Sequence, residues 1–169
     1  MKENKVYTIG YEGAGLEDFL ATLLTAGVES IIDIRDYPGS RRAGFSKKAL
    51  QAHAEGAGIN YVHLKGLGDP KAGREAARAG KFDEFRAIFE THMLSDTAQQ
   101  DLAAAIDLAG GAPSCLMCYE RDPQHCHRAI VAVKIQKSSD FEVMHLGVQK
   151  NAARKYGAPI ERGDIKNVK

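Results

Sequence analysis

The chain has 169 residues, 44% hydrophobic and 27% charged, with no Trp and a formal net charge of +1. A chain of this length can bury a self-sufficient core, and its near-neutral balance argues against a polycation that coats nucleic acid indiscriminately. Three cysteines, an odd number, and the absence of an apolar run near the ~20 residues that span a bilayer argue against a secreted disulfide scaffold and a membrane protein.

Residues 1–5 run directly into VYTIGY, which reads as a strand rather than a signal peptide, so a cytoplasmic protein is expected. Val6–Tyr11 is the first strand. In LEDFLATLLTAG, Leu16, Phe19, Leu20, Leu23 and Leu24 recur with helical spacing and stop at Gly27. Ser30–Arg35 is the second strand, Lys47–Gly56 a helix with Ser46 at its cap, and residues 59–64 the third strand. From about Asp69 to Ala109 the pattern is helical: one stripe of Phe82, Phe85, Phe89 and Met93, then a second after Ser95 with Ala98, Leu102, Ile106 and Leu108. Ser114–Tyr119 is the fourth strand. Asp122-Pro123 opens a helix bearing Ile130, Val131, Val133 and Ile135, and Phe141–Leu146 is the fifth strand. Residues 149–169, with six basic and two acidic side chains, form a basic extension beyond a domain at 1–148, either a solvated terminus or a phosphate-contacting arm.

Alternating strands and helices predict a single Rossmann-like three-layer α/β domain, with a mainly parallel five-stranded sheet and helices on both faces. The expected strand order is 3-2-1-4-5, which places a ligand site beyond the carboxyl ends of the strands, between the first and fourth. Polar residues gather at those ends: Gly10, Tyr11 and Glu12; Asp33, Arg35 and Asp36; His63; Cys118, Glu120 and Arg121; His145.

Three segments carry chemistry. In CYERDPQHCHR, residues 118–128, a helix capped by Asp122 would put Cys126 one turn in, where the helix dipole and Arg121, His127 and Arg128 favour a thiolate. The competing reading is that Cys118 and Cys126 pack as small apolar groups. A metal would use Cys118, Cys126 and His125 or His127, with a further ligand from His63 or His145. The eight-residue spacing of the cysteines disfavours it, and no metal is assigned. Cys115 and Cys118 form a C-x-x-C in name only, since a strand points them to opposite faces. The segment is no tyrosine-phosphatase loop either, because position 124 is Gln. In residues 33–46, Asp33, Arg35, Ser40, Arg41 and Arg42 surround one Pro-Gly turn, where guanidinium groups bind phosphate or pair with nearby carboxylates. GYEGAG, residues 10–15, permits backbone approach to an anion but lacks the dinucleotide fingerprint, so no cofactor is expected.

Together TIGY, DIR followed by P-x-S-R and GFS, GINYVHLKGLG and C-x-E-R-D-P-x-x-C-H-R resemble the domain of unknown function 488 family, which includes YeaO-like proteins. The resemblance runs from Val6 to His145. It implies one shared site at Tyr11, Asp33, Arg35, Pro38, Ser40, Arg41, Phe45, His63, Gly68, Cys118, Glu120, Arg121, Cys126, His127 and Arg128, and assigns no reaction. The resulting expectation is an enzyme on an anionic substrate, a nucleotide or nucleic acid. Gly10, Tyr11, Asp33, Arg35, Ser40, Arg41, Arg121 and Arg128 would form the binding site. Cys118 or Cys126 would be nucleophile or support, with His127 and Glu120 as the acid–base pair. The alternatives are a non-catalytic nucleic-acid module, disfavoured by six Phe and six Tyr placed mostly at apolar-stripe positions, and a metal-dependent hydrolase.

Overall fold

A computed structural model describes residues 4–156. Five parallel strands, β1 (Asn4–Gly10), β2 (Ser30–Asp33), β3 (Asn60–His63), β4 (Ser114–Cys118) and β5 (Phe141–Leu146), form one sheet. Around it lie α1 (Leu16–Thr25), α2 (Lys47–Gly56), α3 (Lys71–Arg78), α4 (Phe82–Met93), α5 (Asp96–Gly111), α6 (His127–Ser138) and α7 (Ala152–Tyr156). The expected three-layer α/β fold is present. Among the described residues no helix is long and apolar enough to cross a membrane.

The strand order is β3-β2-β4-β1-β5 and not 3-2-1-4-5. The correction has a physical reason. β4 (SCLMC) is buried at every position, whereas β1 begins exposed. β2 (SIID) is likewise buried throughout, and these two strands without a solvated residue lie side by side inside the sheet, where both faces and both edges are covered.

Two cores follow from this winding. Leu16, Phe19, Leu20 and Leu23 of α1 and Leu50 and Ala54 of α2 pack with Ile9, Ile31 and Met117 on one face. Phe85, Phe89 and Met93 of α4, Ala98 and Ala105 of α5, and Val131 and Ile135 of α6 pack with Val6, Ile32 and Leu116 on the other. The chain moves toward the β3 edge after β1 and β2 and toward the β5 edge after β4, so the loops part around the end of β4.

The helical middle divides into three helices, because Gly80 (φ 74°) ends α3 before the Phe82 stripe begins. Ser95 caps α5 through the Ala98 amide, whereas Ser46 occupies the cap of α2 without a side-chain bond. Of the basic extension, residues 157–169 lie outside the described residues. Its first part is docked: the Asp18 carboxylate of α1 accepts the Asn151 and Ala153 amides at the start of α7.

Candidate functional site

The loops at the sheet's carboxyl edge are pinned to β4. The amides of Ile34, Tyr11 and Glu12 donate to the carbonyls of Met117, Cys118 and Tyr119, which extends the ladder past the strand ends. Gly10 is required for this closeness, since a Cβ there would overlap the Glu120 carbonyl and approach the Arg128 guanidinium. What closes on Gly10 is the protein's own loop and not an open anion cradle.

Above this edge lies a cleft of about 560 Å³. Tyr11, Arg35, Asp69, Cys118 and His127 line its interior and are buried, while Tyr37 (75% exposed) and Tyr119 (48%) stand at its mouth. Arg74 and Arg78 of α3, Glu120, and Phe82 stacked on His125 at 4.7 Å also line it.

The helix after β4 begins later than its sequence indicates. Asp122 caps a short 3-10 turn over Pro123–His125 through the Gln124 amide, and α6 starts at His127 with Cys126 as N-cap, accepting the Arg128 amide at 3.5 Å. Cys126 is therefore not one turn into the helix. It sits at the helix mouth, where the unpaired amides concentrate positive potential.

Arg128 has no solvent exposure. Its guanidinium donates to the carbonyls of Glu120 and Arg121 (3.0 Å for the latter), to Thr8 Oγ1 at 3.2 Å and to Cys118 Sγ at 3.0 Å. Among the described residues it forms no ion pair with a carboxylate. A buried cation needs counter-charge: Glu120 and Asp122 act on it through space, and Cys118, in direct contact, can add to it as a thiolate once the Cys118–Cys126 disulfide is reduced. Glu120 Oε2 lies 3.5 Å from the same sulfur.

His127 Nε2 lies 2.7 Å from the Ile34 carbonyl, which fixes Nε2 as the protonated nitrogen. Burial lowers its pKa to about 4, so the ring is neutral and Nδ1 presents a lone pair, 3.5 Å from Cys126 Sγ. Cys118, Cys126 and His127 thus converge, their ligand atoms within 4.8 Å of one another. In the structure the two sulfurs are paired with each other as a disulfide, their Cα atoms 7.5 Å apart.

Carboxyl groups face this cluster. Burial, then the proximity of Glu120, raises the Asp69 pKa to about 7, and burial raises that of Glu120. Asp69 Oδ1 is buried without a hydrogen-bond partner among the described residues.

The arginines expected to bind an anion are otherwise placed. Arg35 is clamped by both Asp33 oxygens, the Tyr11 hydroxyl and the Phe45 carbonyl; Asp33 is itself fully buried and also accepts from Tyr61. Ser40 accepts the Arg42 amide and stiffens its loop. Arg41 and Arg121 are exposed and do not line the cleft. His63 bonds the Arg35 carbonyl and His145 bonds Thr8, so neither joins the Cys–His cluster as a fourth ligand. Besides Arg35, the cations lining the cleft are Arg74, paired with Asp36 at 2.8 Å, and Arg78, within electrostatic reach of Glu120. Sequence reasoning missed these two, together with Asp69, Phe82 and the mouth tyrosines. A Gly-Asp-Pro turn just past the third strand was the one signal that marked Asp69.

A family model described as Domain of unknown function DUF488 matches residues 15–135, well over half of the chain, from the cap of α1 into α6. No curated protein and no solved structure matches.

Proposed function

The chain belongs to the Domain of unknown function DUF488 family, and from the cleft geometry we propose that it is an enzyme acting on a nucleotide-type, phosphate-bearing substrate. The observation that carries this reading is the 3.0 Å hydrogen bond from buried Arg128 to Cys118 Sγ at the cleft interior. Once the Cys118–Cys126 disulfide is reduced, that hydrogen bond favours negative sulfur at a position where a substrate would arrive.

The remaining roles follow from chemistry and placement. A volume of about 560 Å³ suits a mononucleotide-sized ligand. Tyr37, Tyr119 and Phe82 offer ring faces for a base, and Arg74 and Arg78 offer donors for its phosphate. Cys118 acts at the reacting end, as nucleophile or as the ligand that holds one. Asp69, its pKa raised to about 7, carries protons to and from the reacting group near neutral pH, with Glu120, which burial also pushes upward, beside it. His127 orients the sulfurs as a neutral base.

The test is the pH profile of Cys118 alkylation by iodoacetamide in reduced, chelator-treated protein. Buried Cys115, whose pKa burial drives upward, serves as the internal unreactive thiol. Expected is a Cys118 rate that plateaus well below the ~8.5 of a free thiol. A rate that rises only through that ordinary range contradicts the proposal.

A further inference from the structure

We infer that the reduced Cys118, Cys126 and His127 form a binding site for one soft divalent cation, zinc by the chemistry of its donors, with a fourth position open to the cleft. Two thiolates and one imidazole make a donor set suited to zinc, and three protein ligands with one open position is the arrangement of catalytic zinc sites. The three ligand atoms lie within 4.8 Å of one another and all three residues are buried.

The surroundings point the same way. The His127 Nε2–H bond to the Ile34 carbonyl is the outer-shell contact that fixes a metal-binding imidazole and turns Nδ1 toward the ion. Each sulfur accepts an N–H bond, Cys118 from the Arg128 guanidinium and Cys126 from the Arg128 amide. Donors aimed in this way suit thiolates, which would add negative charge beside the buried guanidinium to that of Glu120 and Asp122. The Cα separation of 7.5 Å also exceeds the roughly 4.4–6.8 Å that disulfides span.

The open position faces chemistry. Cys118, His127, Glu120 and Asp69 line the same cleft, and the Asp69 Oδ1 atom is buried without a partner. A cation-bound water there would lie near Glu120, whose Oε2 is 3.5 Å from Cys118 Sγ. The reaction class becomes metal-assisted hydrolysis, in which the bound water would give its proton to a carboxylate, its oxygen would form the new bond to phosphorus as the phosphoester P–O bond breaks, and the leaving oxygen would take that proton. That assignment of reaction rests on the cleft being the active site; cation binding does not.

The experiment is a Co2+ titration of the full chain without a His tag, reduced and stripped with chelator, followed by absorption spectroscopy. Expected are thiolate-to-cobalt charge-transfer bands and tetrahedral d–d bands that saturate at one equivalent and bleach when Zn2+ is added. Cys126→Ser should remove a thiolate band and weaken Zn2+ binding by about 100-fold or more. The wild-type spectrum carries the test should that variant misfold. Uptake below ~0.2 equivalents, or bands without thiolate character, overturns the site. Binding that is unchanged in folded Cys126→Ser overturns it equally. Failure here with a depressed Cys118 alkylation profile would sink the cation site and leave the thiolate reading standing.

Discussion

Arg128 and Asp69 show how single side chains set the chemistry of the cleft. Arg128 is a fully buried cation whose donors tie β1 to the Glu120–Arg121 backbone and to Cys118. Arg128→Met would leave those carbonyls without partners, and a loss of about 3–5 kcal/mol is expected in urea unfolding. A loss under ~1 kcal/mol would show that the guanidinium is replaceable there. Asp69 is the reverse case, a carboxyl whose native pKa of about 7 lies above its value in the unfolded chain. The folded state therefore binds the extra proton, and its stabilising contribution is full at low pH and falls as pH rises through 7. Asp69→Asn should abolish that slope, leaving stability little changed at pH 5 and raising it by about 1–3 kcal/mol at pH 8. Parallel wild-type and variant profiles would show that Asp69 titrates normally.

At the level of elements, α3 and the loop before it hold Asp69 and Arg74 against the cleft, and a Cβ at Gly73 would overlap the Asp69 carboxylate. Ala normally stabilises a helix interior by about 1 kcal/mol over Gly. Gly73→Ala should instead cost about 1–2 kcal/mol, read from the urea midpoint, because the carboxylate must move; a gain would place Asp69 elsewhere. These elements also show what was legible beforehand. Hydrophobic period identified all five strands and the stripes of α1 and α4, because burial on one face leaves a regular mark; in α6 it marked Val131 and Ile135 correctly, but Val133 is exposed. It did not isolate α3, whose buried residues are only Gly73 and Ala76. The Cys–His segment was legible as a centre, but the late start of α6 was not. A 3-10 turn and an α-helix begin with the same Asp-Pro signal, and only the chain's closure onto β1 decides between them.

Across the whole molecule, the central place of β4 brings the site together. Because β4 lies between β2 and β1, its loop meets the Tyr11 turn on one side and the Asp33–Arg35 end on the other. The predicted order put the site at the same strand ends but left β4 without β2 beside it. Sequence marks which runs are strands and leaves neighbour choice to long-range packing. Against α1 rests α7, held through Asp18; Asp18→Ala should lower stability by about 1–2 kcal/mol in urea unfolding with Cys118 reactivity unchanged. An altered reactivity would mean that α7 docking and the cleft are coupled.

The most direct test of the cleft as a nucleotide-type active site is ligand protection of Cys118, with labelling by iodoacetamide followed by mass spectrometry in reduced, chelator-treated protein. Expected is saturable slowing of Cys118 labelling by a nucleoside monophosphate, with protection weakened about tenfold by Arg78→Ala. Labelling at one unchanged rate with every nucleotide tried would contradict it.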